Sequence, residues 1–504
     1  MNRKTKTALY LLTLAFTVYS FFQFPGFQGY EDETYKRIVT NIESSEFKTG
    51  RSGYAQTVLE TPFVLKGQFF DSWLNTSNHQ ISQLYALLYN PFVTAVGVAV
   101  MFMLFNLFVS RRKAFWLSLV YAFGTMAFPY AGIGMEPTAV LFVLLATYFL
   151  FRFGKNQNDV IPAPCLPAGR KAGIQTYKYL ILSGLFYFLL FFSKAYYFVM
   201  LPAFLGYLWM LCDLKITKKL IKNSILFFSS LVLILPLYLF ANNYNFGNYF
   251  GGQYNLANEL TGGENIIFGT YGLLLSFGKS IFIYVPALIL SVAFFKRFYQ
   301  KFKNEAIFVI LYSLLLILFV AQIHWWSDET WGPRYLLSLG AIGLIPLVSI
   351  SQAKKALINV ILFFTFAFQL LGVSARYDVF PYTFYEIYGK TGYNILASQE
   401  YQYIPQFAPY FVNYQLLKNK ILGRNEPINY NVIYSPPMEL AGKERGHELI
   451  KEITYDNNKY QAHVLNFWWS NIPIISAGKI FAFYLILFLG LTIWGRNVLK
   501  FKKE

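Results

Sequence analysis

The strongest constraint on this chain is its series of long apolar runs. There are about twelve, each near the roughly 20 residues that a helix needs to cross a bilayer. They lie at about 6–24, 92–110, 114–130, 134–153, 177–193, 195–212, 222–241, 281–296, 305–323, 334–351, 356–375 and 476–496. No water-soluble core can absorb so much continuous apolar sequence. Of the 504 residues, 56% are hydrophobic and only 13% charged, where a soluble domain carries about 25% charged. The runs predict an all-α integral membrane protein.

The basic residues test that reading. With the N-terminus inside, the inner segments carry Arg3, Lys4 and Lys6; Arg111, Arg112 and Lys113; and Arg152, Lys155, Arg170, Lys171 and Lys178. They continue with Lys215, Lys218, Lys219 and Lys222; Lys296, Arg297, Lys301 and Lys303; Lys354 and Lys355; and Arg496, Lys500, Lys502 and Lys503. The acids among them are Asp159, Asp213, Glu305 and Glu504. Every second connection is basic, and both termini fall inside, as an even span count requires. The net charge of +18 therefore reports membrane orientation, not nucleic acid. After the first run, FPGFQGYEDE shows no small-residue cleavage signature, so that run reads as a retained signal anchor. Cys165 and Cys212 fall in or beside inner segments and predict no disulfide.

Three long segments fall outside, at about 25–91, 242–280 and 376–475, and the outer side holds nearly all the acids. Within the first, Ala55 to Leu65 and Ile81 to Tyr89 are too short to span and suit helices lying in the interface. Residues 376–475 have few apolar runs and predict a small cap or loop. The chain thus divides into a membrane module over 1–375, that outer segment, and a last span with a basic tail over 476–504. The Pro/Gly/Ala-rich stretch 156–175 reads as a flexible inner loop, and no internal repeat marks an inverted-repeat transporter.

Four outer stretches carry candidate chemistry. Glu31, Asp32 and Glu33 follow the first span; Asp32, with Glu33 beside it, can serve as a general base toward a hydroxyl, or the triplet can open a helix, where acids favour the first turn. Glu136 precedes Pro137 at the start of a span, as a capping acid or a functional one. Lys279 stands at an outer boundary, where it can hold a phosphate or extend to lipid headgroups. The stretch HWWSDETWGPRY, His324 to Tyr335, is the densest signal. Its tryptophans alone would be an interfacial belt, but Pro333 opens a helix with Arg334 in the first turn, where guanidinium and helix N-terminus together suit phosphate. There is no HExxH, GxxxxGK[ST], CxxC or nucleophile elbow, and His79, His324, His447 and His463 are scattered, which disfavours zinc hydrolysis and nucleotide-driven pumping.

In this order, these stretches resemble the GT-C superfamily of polytopic glycosyltransferases, in particular its bacterial branch related to protein O-mannosyltransferases and lipid A aminoarabinose transferases. The family's Asp-Glu pair is matched by Asp32 and Glu33. A Gly/Ser-Tyr-x-Gln stretch ending in Pro is matched by Gly53, Tyr54, Gln56 and Pro62, and a Tyr-Ala…Glu-Pro segment by Tyr130, Ala131, Glu136 and Pro137. Asn243 to Gly247 resembles an Asn-Tyr…Phe-Gly stretch. Ser276, Gly278, Lys279, Tyr284 and Pro286 match Ser-x-Gly-Lys…Tyr-x-Pro, and Trp331 to Tyr335 match the Trp-Gly-Pro-Arg-Tyr turn. The resemblance covers roughly the first 350 residues. It departs at Ser327, Asp328 and Glu329, where relatives often have Gly-Gly.

The resemblance implies a GT-C fold and an enzyme of the bacterial cytoplasmic membrane with its active site on the outer face. Such an enzyme takes a sugar from a polyprenyl-phosphate donor and passes it, with inversion, to a hydroxyl of a glycan, lipid or protein acceptor. Asp32 would be the base, Lys279 and Arg334 would hold the donor phosphate, and Glu136, Tyr54, Gln56, Tyr130 and Trp331 would bind substrate. A divalent metal, Mg²⁺ or Mn²⁺, is not required by this arrangement, although related oligosaccharyltransferases use one. The rival reading is a transporter or flippase, which would place charges on broken helices at mid-membrane; an interaction scaffold or polymerase-like protein would not predict the Asp-Glu, Glu-Pro and Gly-Pro-Arg set.

Overall fold

The computed structural model describes residues 1–24, 31–44, 54–75, 80–134, 136–158, 168–247, 249, 265–323, 330–351, 355–376, 379, 400–403, 405, 408–424, 428–430, 453–455, 458–468 and 477–499. The order is α1 (Arg3–Phe21), α2 (Glu31–Ser44), α3 (Tyr54–Leu74), α4 (Gln80–Leu87), α5 (Tyr89–Phe105), α6 (Arg111–Gly124), α7 (Ala127–Ile133), α8 (Pro137–Asn158) and α9 (Ala168–Ser193). A 3₁₀ turn (Ala195–Met200) leads into α10 (Leu201–Met210), α11 (Lys218–Phe228), α12 (Leu231–Phe246), α13 (Ile266–Leu275), α14 (Ile281–Tyr284), α15 (Ala287–Lys301) and α16 (Lys303–Val320). Two 3₁₀ turns (Arg334–Leu336 and Ile345–Ser349) flank α17 (Leu337–Ile342), and α18 (Lys355–Gly372), α19 (Pro409–Leu422) and α20 (Ala477–Val498) follow. The protein is a multi-pass helical membrane protein. Its described strands form one short antiparallel ribbon, Ile428–Tyr430 against Ile453–Tyr455.

Each expected run falls on helix, but fewer than twelve of the described helices are by themselves long and apolar enough to cross a membrane. Among the described residues, six helices are long and apolar enough to cross a membrane, or seven if α6 and α7, bent by 50°, count as one span. Of the other expected runs, 281–296 and 334–351 are broken and 195–212 is a 3₁₀ turn followed by α10, whereas α1 and α18 are continuous. Lys194 is extended (φ −149°, ψ 105°) and divides α9 from the 3₁₀ turn. Val285 and Pro286 separate α14 from α15, and run 334–351 is three short pieces buried along almost their whole length. That last run is core rather than a lipid-facing span. The centre of the bundle is α8, with 83% of its apolar window buried, whereas Lys218–Asn245 and Gly478–Val498 are 22% buried and form the periphery.

The outer layer differs from expectation in a second way. Ile81–Tyr89 is not a separate interfacial helix: α4 runs almost directly into α5, so that Gln80–Phe105 reads as one apolar helix of 26 residues. By contrast, α3 fits an interfacial helix and extends well past Leu65. It buries Gln56, Thr57, Glu60 and Asp71 and exposes Val58, Leu59, Leu65, Phe69 and Trp73. This inverted amphipathic pattern suits a helix with protein on its polar side and lipid on the other. Helix α9 starts at Ala168, inside the stretch expected to be a loop.

Close contacts lock this layer. The carboxylate of Asp71 accepts from the backbone N–H groups of Ile81 (2.9 Å) and Ser82 (2.8 Å), capping α4 from a neighbouring helix. Gly67 lets the α3 backbone meet that of Ser82, and Ser82 Oγ pairs with the Tyr35 hydroxyl of α2 at 2.8 Å. Asp71→Ala is therefore expected to cost about 1–3 kcal/mol, read as a lower melting temperature in detergent. A loss no larger than that of the exposed Glu43→Ala would remove the capping account.

The two ends of the bundle are chemically distinct. At one end Lys113 donates to the carbonyls of Val348 (2.8 Å) and Ile350 (2.9 Å). There too Lys155 lies over Phe108 at 4.8 Å and Lys222 over Tyr177 at 4.3 Å. At the opposite end gather the start of α8, the ends of α9 and α12, and the turns around Lys279 and Arg334.

Candidate active site

The Lys279 corner is built around one glycine. Between α13 and α14 the chain turns through Ser276–Ser280. The Lys279 N–H is received by Ser276 Oγ at 3.1 Å, and Gly278 N–H donates to the Gln402 carbonyl at 2.8 Å. This places the ammonium inward: Lys279 is 1% exposed, and its Nζ donates to the carbonyl of Gly332 at 3.1 Å. Gly332 has φ +68°, a left-handed conformation that side chains disfavour, and a Cβ there would meet the Tyr284 ring at 2.5 Å.

The same carbonyl accepts the backbone N–H of Arg334 at 3.1 Å. Arg334 begins its 3₁₀ turn, as expected from Pro333, but that N–H is occupied within the turn, so the helix-end donor does not add to the site. The guanidinium is buried, donates from Nη2 to the Tyr335 hydroxyl at 3.0 Å, and lies over the Tyr335 ring at 4.9 Å. Two cations are thereby held against one turn of backbone.

A second cluster adjoins it. The carboxylate of Glu136, just ahead of α8, is fully buried and pairs with Lys194 Nζ at 3.4 Å, while the Tyr196 hydroxyl donates to it at 3.4 Å. Tyr196 stacks on Phe319 and meets the Tyr335 ring edge-on at 5.8 Å. A continuous path of side chains thus runs from Lys194 and Glu136 through Tyr196 and Tyr335 to Arg334, and through Gly332 to Lys279. Sequence reasoning missed Lys194 and Tyr196. The available signal was a lone lysine between two apolar runs on the side otherwise holding the acids.

The remaining candidates lie around this path. Tyr54, the first residue of α3, is buried against Phe192 at 5.1 Å and donates to Asn242 Oδ1 at 2.8 Å, tying α3 to the ends of α9 and α12. Gln56 Nε2 donates to Glu60 at 3.3 Å, a buried carboxylate that the sequence analysis passed over. Tyr130 is fully buried on α7, and Trp331 packs between Tyr284 (5.3 Å) and Phe368 (5.5 Å). Both sit in packed core. The acid triplet opens α2 at Glu31, and α2 packs on α3. The side chain of Asp32 lies outside the described residues, as do His324–Glu329; Glu33 is half-buried. Burial pushes the nearby Tyr35 phenol above its ordinary value, with the Ser82 hydrogen bond opposing the rise.

With this geometry in place the chain was compared with known proteins. No protein-family model matches the sequence, and no curated protein matches it. Among solved structures, the chain is similar to the crystal structure of ArnT from Cupriavidus metallidurans bound to undecaprenyl phosphate. The identity is 11% and the TM-score 0.44, over 82% of this chain and 70% of that one. Among the described residues no three His, Cys, Asp or Glu side chains gather as a metal site.

Chemically, the arrangement can bind an anion and orient a polar neutral group. An ammonium has three donors and a guanidinium five, and both side chains are buried at the Gly332 turn. Low surrounding polarity strengthens the attraction of both for a phosphate. The Glu136–Lys194 pair offers acceptor and donor side by side, which suits hydroxyl groups.

Proposed function

We propose that this protein is a membrane glycosyltransferase that moves a sugar from a polyprenyl-phosphate donor to an acceptor hydroxyl. The observation that carries the reading is the pairing of buried Lys279 and Arg334 around Gly332, one turn of side chains away from Glu136. In this scheme the two cations hold the donor phosphate and stabilise the charge that develops on it as the glycosidic bond breaks. Glu136, with Lys194, orients the sugar or acceptor. Asp32, with Glu33, is the proposed base, so that one displacement inverts the anomeric carbon. The resemblance in sequence supports these roles, and supports a site on the outer face of a bacterial cytoplasmic membrane with both termini inside. Basic residues concentrated at the far end of the bundle favour the same orientation.

The test is transfer from a panel of polyprenyl-phosphate sugars by purified wild type beside Asp32→Asn. Wild-type transfer with loss in the variant supports the scheme. A fully active Asp32→Asn would return the triplet to a helix start and make Glu136 the leading base, and no transfer from any donor would move lipid transport ahead. Because two cations face the leaving phosphate, transfer is expected to survive exhaustive chelation. Loss that Mg²⁺ or Mn²⁺ restores would refute that part.

A further inference from the structure

Beside the proposed cation corner lies a small cavity of about 20 Å³, enclosed by the end of α1, by α7 and by the end of α18. Tyr19, Phe22, Phe24, Phe128 and Gly372 form much of its wall, together with Gln23. Gln23 is 1% exposed, and among the described residues neither its Oε1 nor its Nε2 has a hydrogen-bond partner. Its backbone carbonyl is engaged with Trp468 N–H at 2.9 Å, which fixes the chain there. The indole N–H of Trp331, also buried, likewise has no partner among the described residues. Trp331 stands directly behind Gly372: a Cβ on that glycine would lie 2.7 Å from Trp331 Cε2 and 2.7 Å from Pro129 Cγ. Trp331 is in turn the neighbour of Gly332, to which Lys279 is bound.

Burying a primary amide with both ends unmade is costly, and such groups normally have an occupant to satisfy them. We propose that this cavity is a subsite for one neutral hydroxyl group, held by Gln23. Three features define that chemistry. The space suits a hydroxyl, since a water-sized group needs about 10–15 Å³. Among the described residues no lining side chain is charged, so a charged occupant would be buried without compensation from them. An amide donates and accepts, as a hydroxyl requires. The hydroxyl can come from the sugar or acceptor of the proposed reaction, an assignment that rests on the transfer reading, or from a lodged water.

Gln23→Leu separates these cases. If a substrate hydroxyl is bound, the KM for donor or acceptor rises on the order of tenfold with kcat little changed. If a water is bound, kinetics are unchanged but the melting temperature in detergent falls, because the water loses the amide that holds it. Unchanged kinetics with an unchanged or higher melting temperature would overturn the proposal, since removing an orphaned amide from a dry cavity relieves a cost. Gln23→Met keeps the length without the polar end and serves if the leucine variant is not recovered. Should wild type transfer no sugar, the functional reading fails on its own, and the melting comparison still decides the cavity.

Discussion

Replacing Arg334 by alanine is expected to lower sugar transfer from a polyprenyl-phosphate donor by about 10²–10³-fold. The guanidinium is buried beside Tyr335, and the backbone N–H of Arg334 shares the Gly332 carbonyl with the Lys279 ammonium. It can meet phosphate oxygens in two parallel bonds, where an ammonium presents a point charge. Arg334→Lys should therefore recover part of the activity, and Lys279→Met should lose a comparable share. Rates are to be compared as kcat/KM in purified enzyme whose melting temperature shows it folded. Near-normal transfer by Arg334→Ala would remove the phosphate role and leave the residue as a packing partner of Tyr335.

Gly332→Ala should damage both stability and transfer. A left-handed backbone costs a side-chain residue about 1–2 kcal/mol. The added Cβ would also press on the Tyr284 ring, and overpacking adds about 1–3 kcal/mol. Because the Gly332 carbonyl receives both Lys279 and Arg334, any shift of this turn moves the two cations together. Gly423 supplies the control: its φ is +61°, yet nothing lies within 4 Å of an added Cβ. Gly423→Ala should lose only the backbone part and leave transfer intact. Equal losses at the two positions would show that the Tyr284 contact is immaterial.

The sequence makes the helices legible and their breaks obscure. Apolar runs of near-membrane length announce themselves, but Lys194 interrupting α9 and the 3₁₀ pieces of 334–351 depend on packing that no local pattern encodes. The positions of Lys279 and Arg334 were readable from Gly278 and Pro333, which mark turns by their own backbone limits. The Glu136–Lys194 pair was not, because its partners are joined only when α8 and α9 lie side by side. Glu60 and Asp71 were passed over for a related reason. A carboxylate in a segment that exposes Phe69 and Trp73 reads as a surface acid until the exposed side is recognised as the one facing lipid.

That inversion in α3 means that the outer layer cannot be lifted off as a water-soluble unit. Cut free of the membrane, α2 to α4 would present Val58, Leu59, Phe69 and Trp73 to water and part the Tyr54 hydroxyl from Asn242.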